Sequence, residues 1–146
     1  MLGLTISYPW CYLWLMDIKI NETRPRGIRC QLPTMLIVHC AEKRPDNAAQ
    51  KLGLKYLGAD FKPNYGYAIG ICILTNTVKM TYELISTQSP QEIELGIWQP
   101  GRVAWQATDK TLFNEPIKTT GYQAAPWKAS EQLIELVKQE LSFINQ

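Results

Sequence analysis

The spacing of apolar residues changes along the chain, and it predicts a mixture of helices and strands. Residues 10–19 are apolar almost all round. Ser7-Tyr8-Pro9 before them offers a hydroxyl cap and a proline for the first turn, which predicts a largely buried helix. The aromatic residues of this stretch also alternate with the period of a strand. The proline and the leucine-rich run favour the helix.

Short apolar runs rich in β-branched residues predict the strands. The first, residues 35–40, follows a basic segment that contains proline and glycine. Residues 68–80 form a longer run dense in Ile, Val and Thr. Residues 102–106 and 110–113 have strand character on either side of a turn.

Three further helices are indicated by their caps. Pro45 and Asp46 begin one that Gly53 closes, and Ser89 to Glu92 form a capping box before Gly96. The clearest helix covers about residues 130–144, with Ser130 as its cap and one apolar stripe: Leu133, Ile134, Val137, Leu141 and Ile144. We therefore expect one α+β domain over residues 1–146 with a mainly antiparallel, curled sheet.

The composition is that of an ordinary globular protein. The 146 residues are 46% hydrophobic and 19% charged, which excludes a disordered chain. The net charge of +2 is too small to indicate nucleic-acid binding by itself. The basic residues concentrate in the first half, where the densest cluster comprises Lys19, Arg24, Arg26 and Arg29. A solvated loop is the simplest explanation of that cluster.

The four cysteines, Cys11, Cys30, Cys40 and Cys72, include no C-x-x-C pair, which excludes a zinc ribbon and a thioredoxin motif. The first residues lack the features of a signal peptide, and the uncharged run that opens the chain is shorter than the about 20 residues that span a bilayer. We expect reduced thiols, a cytoplasmic location and no membrane contact. His39 and Cys40 are neighbours in a predicted strand and face opposite sides, so we expect no metal there and no cofactor.

No standard catalytic motif is present, and neither is a glycine-rich phosphate loop. The segment after the first predicted helix is distinctive because it carries Lys19, Glu22 and Arg24 in close succession. An extended chain from Glu22 would turn Glu22 and Arg24 to one face, within reach of Lys19.

That segment and several others, in order, resemble the ASCH domain family. The matching segments span residues 5–128: Thr5 to Trp10, Asp17 to Arg24, Arg26-Gly27, Leu36 to Ala41, Ala68 to Gly70, Gly101 to Gln106, Glu115 to Ile117 and Gly121 to Gln123. The resemblance implies a PUA-like fold, a small β-barrel flanked by helices, with a cleft for RNA or a nucleotide. Asp17 stands where the family pattern has glycine, so the end of the first helix is expected to differ.

We expect Lys19 and Arg24 to contact a phosphate or base, and Glu22 to accept a hydrogen bond from a base amine. A surface ion pair is the alternative for these three residues. The other candidates are Trp10 and Trp105 as stacking residues, with core packing as their alternative, and Arg26 and Arg102 as phosphate contacts.

Three functions follow from these expectations. The first is a non-enzymatic module, favoured as a monomer, that binds RNA or a nucleotide. The second is an amidohydrolase acting on an acylated nucleoside, as one branch of the family resembles, with Lys19 and Glu22 in the catalytic roles. The third is a protein-interaction module that uses the last helix. For the first two, Lys19, Glu22 and Arg24 must converge on a concave face between the first helix and the sheet, near Trp105 or Tyr67.

Overall fold

A computed structural model gives the structure of the protein and describes residues 1–144. The elements follow in the order β1 (Leu2–Ile6), α1 (Trp10–Leu15), β2 (Asn21–Arg24), β3 (Thr34–Cys40), α2 (Asn47–Leu57), β4 (Tyr67–Lys79), α3 (Tyr82–Ser86), α4 (Pro90–Leu95), β5 (Val103–Lys118), β6 (Trp127–Lys128) and α5 (Glu131–Ile144). Within the described residues, the strands form one sheet with the order β2-β5-β4-β3-β1-β6.

The sheet is mixed but mainly antiparallel, as predicted. β1 and β3 run parallel, and each of the other neighbouring pairs runs antiparallel. The sheet curls into a half-barrel flanked by helices, so the expected barrel is open, with β2 and β6 at its edges. The fold is α+β, as predicted.

The two long central strands produce the curl. β4 has 13 residues and confirms the predicted strand, whereas the two strands predicted around residue 107 are one 16-residue strand, β5. Their pairing shifts register at three places, and such irregularities bend and twist a ribbon without ending it. Asp109, with φ of 52°, lies at one of these shifts. What looks like a turn in the sequence is therefore a bulge.

α1 is shorter than predicted, because it ends at Leu15 and not at Lys19. Its N-cap is Pro9, and no side chain caps it, so the predicted role of Ser7 as a cap is wrong. The main-chain carbonyl of Ser7 instead accepts a hydrogen bond from the Cys11 N–H at 3.2 Å. The Ser7 hydroxyl is thus not used by the helix.

α2 begins as predicted but extends further. The Asp46 side chain accepts a hydrogen bond from the Ala49 N–H at 2.9 Å. The helix continues through Gly53 to Leu57 and ends at Gly58, whose φ is 90°. The prediction that Gly53 ends the helix is therefore wrong, and its lack of a side chain serves packing, because a Cβ there would overlap the ring of Tyr8.

Ser89 caps α4 and Ser130 caps α5, as predicted. α3, which was not predicted, is a single turn capped by Thr81. None of the helices within residues 1–144 is both long enough and apolar enough to cross a lipid bilayer.

The sheet has a hydrophobic cluster on each face. α1 covers one face, where Trp14 packs with Leu36 and Trp105. α5 covers the other, where Leu133 and Val137 pack against it. The apolar stripe of the last helix therefore packs on its own sheet, and α1 fixes the position of the chain that leaves it for β2.

Candidate functional site

A cleft of about 380 Å³ opens beside β2. One wall is the end of β1 and the start of α1, the second is β2, and the third is the end of α4 with the two residues that follow it. The polar and charged side chains that line it are Thr5, Ser7, Lys19, Glu22, Thr23, Arg24 and Glu94.

Lys19, Glu22 and Arg24 form one hydrogen-bonded group in this cleft. Lys19 Nζ donates to Glu22 Oε1 at 2.6 Å, and Arg24 NH1 donates to Glu22 Oε2 at 3.0 Å. The Lys19 side chain is 2% exposed and that of Glu22 is 6% exposed, whereas that of Arg24 is 21% exposed. One carboxylate thus holds two cations, the lysine deep in the cleft and the arginine nearer its mouth.

The turn after α1 positions Lys19. The N–H groups of Ile18 and Lys19 both donate to the Leu13 carbonyl at 3.0 Å. Asp17 between helix and turn has φ of 58°, the left-handed conformation that glycine adopts most readily. Asp17 therefore makes the same turn that a glycine would make, and its carboxylate pairs with Lys110 at 2.7 Å.

Strand pairing and one buried carboxylate position the other two residues. Glu22 and Arg24 alternate along β2, which pairs with β5, so their side chains share a face. Glu92 accepts hydrogen bonds from the Ile20 N–H at 2.8 Å and from the Asn21 N–H at 3.0 Å. In a capping box Glu92 would return to the Ser89 N–H. The structure instead directs it to the start of β2, so half of the predicted box is wrong.

Trp105 is part of the core, and its predicted stacking role is wrong. Its side chain is 1% exposed, so no base can reach its face. Its indole N–H donates to the Arg26 carbonyl at 2.9 Å, and the Arg24 guanidinium lies 5.7 Å from its ring centroid. The buried Trp105 ring therefore lies against the Arg24 guanidinium and helps to hold it in place.

The remaining candidates are divided between the cleft and its surroundings. Trp10 is half-buried and lines the cleft, whereas Arg26 is exposed and does not line it. Arg102 is also outside, because its guanidinium is directed at the Ile97 carbonyl at 3.1 Å and braces the third wall. Tyr67 packs against the core and does not line the cleft.

Sequence reasoning missed Thr5, Ser7 and the wall over residues 94–97. Ser7 belongs to the Ser7-Tyr8-Pro9 motif, but a role as helix cap explained its hydroxyl equally well. The wall is held by the Thr23 hydroxyl, which accepts from the Ile97 N–H at 3.0 Å. That contact joins residues 74 positions apart, and no local pattern indicates it.

His39 lies beside the cleft in a directional chain of hydrogen bonds. The Thr119 carbonyl can only accept, so His39 Nε2 donates to it at 2.9 Å. Nδ1 then accepts from the Thr5 hydroxyl at 3.2 Å, and the Thr5 oxygen accepts from Trp127 Nε1 at 3.0 Å. Burial lowers the pKa of His39 below its ordinary value of 6.5, which favours this neutral tautomer.

The cysteines do not contribute to the cleft. All four are free thiols, and none of them lines it. Burial raises the pKa of Cys72 to about 12 and that of Cys11 well above its usual range, so neither is a nucleophile near neutral pH. Over residues 1–144, no three His, Cys, Asp or Glu side chains come close enough to hold a metal ion.

Comparison with known proteins shows which solved structures share this fold. The ASCH protein from Zymomonas mobilis matches with a TM-score of 0.59 and 13% identity, over 94% of this chain and 93% of that one. A serine-to-alanine variant of that protein matches with a TM-score of 0.58 and 13% identity, over 94% of both chains. A tyrosine-to-phenylalanine variant matches with a TM-score of 0.58 and 12% identity, over 94% of this chain and 96% of that one. No family model and no curated protein matches the sequence. The chain thus has the fold of the ASCH domain structures.

Proposed function

We propose that the protein is a PUA-like module that binds RNA or a nucleotide in the cleft lined by Lys19, Glu22 and Arg24. The observation that supports this proposal most strongly is the buried, hydrogen-bonded group of these three side chains in a concave site. A recognition site requires fixed donors and acceptors in a concave surface, and this group supplies both.

The depth of each side chain assigns its role. Glu22 and Lys19 lie at the bottom and offer an acceptor and donors to the edge of a base. Arg24 has five N–H groups, of which one on Nη1 donates to Glu22, and its partly exposed position suits a phosphate. Trp10 contributes an indole to the wall, against which an apolar base face packs. The arrangement therefore binds a base inside and its phosphate at the mouth.

Substitution of Arg24 by glutamine is the direct test. Arg24→Gln leaves the pair of Lys19 and Glu22 in place, so we expect the fold to be retained. Arg29→Gln is the matched control, because Arg29 is an exposed arginine of the same basic segment outside the cleft. Affinity is measured by fluorescence anisotropy with a labelled single-stranded RNA of mixed sequence between 50 and 200 mM salt.

Loss of one charge-assisted contact is worth about 1.5–3 kcal/mol, so Arg24→Gln should weaken binding by at least about tenfold. The slope of log affinity against log salt should become shallower by about 0.7. Arg29→Gln should change neither quantity appreciably. Equal effects of the two substitutions would contradict the assignment of the cleft.

Hydrolysis of an acylated nucleoside is the second candidate, and the burial of Lys19 favours it. A lysine that acts on an amide must be desolvated, and Lys19 is 2% exposed. Glu22 at 2.6 Å opposes this role, because a carboxylate stabilises the charged ammonium. Chromatography of N-acylated nucleosides incubated with the protein would show release of the free amine and acid. If the unaltered protein turns over no more substrate than Lys19→Arg does, this function is excluded.

A further inference from the structure

The cleft of the proposed site continues into a second cleft of about 360 Å³. Thr5, Ser7 and Arg24 line both, so the two share a boundary. The second cleft extends from this boundary past His39 to the loop that carries Tyr122. Each lies within the size range of small-ligand sites, and together they form one groove past the C-terminal ends of β1 and β3.

Tyr122 presents an aromatic ring at the far end of this groove. It is 56% exposed, so much of its ring is accessible to a ligand in the groove. Its ring meets Trp127 edge to face, with centroids 5.7 Å apart and an interplanar angle of 69°. Trp127 is itself buried, so it holds Tyr122 from one side and leaves much of its surface open.

The backbone before Tyr122 is held closely against the groove. A Cβ at Gly121 would overlap the His39 imidazole and the Thr5 hydroxyl, so only glycine permits this approach. His39 and Thr5 are in turn fixed by the hydrogen-bond chain from Trp127 to Thr119. The exposed ring therefore projects from a positioned loop.

We propose that the groove binds two linked nucleotides of a single strand. One base occupies the first cleft, the connecting phosphate lies at Arg24 on the boundary, and the second base stacks on Tyr122. This inference rests on the proposed function and deepens it, because it makes the ligand a strand and not a free nucleoside. Aromatic stacking of this kind accepts any base, so Tyr122 contributes affinity more than sequence selection.

The charges of the groove fit a ligand with few phosphate contacts. Lys43 in the second cleft has Glu42 beside it, and Lys19 in the first is held by Glu22. Arg24, at the boundary of the two clefts, also pairs with Glu22 through Nη1, and its remaining N–H donors are those left for a phosphate. Binding should therefore depend mainly on base contacts, with a salt dependence that corresponds to one or two phosphates.

The test compares ligands that differ by one base and carry one phosphate each. Calorimetric titration measures the affinities of nucleoside 3′-monophosphates and of dinucleoside monophosphates for the unaltered protein, Tyr122→Ala and Tyr122→Phe. Tyr82→Ala is the matched control, because Tyr82 is 78% exposed and does not line either cleft. Thermal unfolding of every variant verifies that the fold is retained.

The inference predicts that the dinucleoside monophosphates bind about tenfold or more tightly than the mononucleotides. Tyr122→Ala should abolish that difference without changing mononucleotide affinity, and Tyr122→Phe should restore it. This inference would be overturned, and the proposed function kept, if mononucleotides bind but a second base adds no affinity. The same holds if Tyr122→Ala keeps the full gain in affinity from the second base. Absence of binding to either ligand and to an eight-nucleotide RNA would overturn the proposed function with it.

Discussion

Replacement of Glu92 should destabilise the protein far more than its place in a short helix indicates. Glu92 is 7% exposed and accepts from the Ile20 N–H at 2.8 Å, the Asn21 N–H at 3.0 Å and Asn21 Nδ2 at 3.1 Å. Ile20 is 55% exposed, so water can replace the carboxylate at its N–H. Asn21 is 6% exposed, and both of its donors would remain unpaired.

Each of the two buried donors without a partner costs about 1–3 kcal/mol, so Glu92→Ala should lower the free energy of unfolding by about 2–6 kcal/mol. Urea denaturation followed by tryptophan fluorescence measures this difference. Glu83→Ala, at an exposed glutamate of α3, is the control and should remain within about 0.5 kcal/mol of the unaltered protein. Similar losses for the two variants would show that Glu92 does not anchor β2.

Three further predictions concern other parts of the fold. Because burial lowers the pKa of His39 below 6.5, the unfolded chain binds the proton more readily, so stability should fall as the pH drops below about 6.5. His39→Gln should flatten that dependence in thermal unfolding between pH 7.5 and 5.5, and an equally steep profile would contradict it. Asp17→Val should be about 1–2 kcal/mol less stable than Asp17→Gly in denaturant titrations, because both variants lose the pair with Lys110 and only valine is strained at the φ of 58°, and equal stabilities would refute the strain. Truncation after Ser130 removes the buried Leu133 and Val137 and should abolish cooperative unfolding, whereas a folded product that loses only a partner would favour an interaction role for α5.

Local signals predicted the elements whose residues are neighbours in sequence. The stripe and cap of α5 and the β-branched run of β4 need no distant partner to be recognised. The end of α1 was not predictable, because the apolar run continues past Leu15 while the main chain turns at Asp17. β1 is five residues long and gains its place from parallel pairing with β3, more than thirty positions away.

The candidate site was likewise predictable only where it depends on residues that are close together in the sequence. The close spacing of Lys19, Glu22 and Arg24 indicated their convergence, because it depends only on one turn and one strand. For Trp105 the sequence left stacking and core packing open, and the structure shows core packing, since burial on β5 depends on the curl of the whole sheet. Glu92 was assigned to its own helix because its partners lie 71 and 72 positions earlier.

The most direct test of the proposed cleft is an NMR titration of the ¹⁵N-labelled protein with a single-stranded RNA. The signals to follow are the side-chain N–H groups of Arg24 and Trp10 and the amides of Thr23 and Ile97, which border the cleft. The indole N–H of Trp14, donated to the Ile20 carbonyl within the fold, serves as the internal reference. Saturable shifts concentrated on the first group are predicted. Saturable shifts confined to α2 or α5, or no shifts at all, would contradict the claim that this cleft binds RNA.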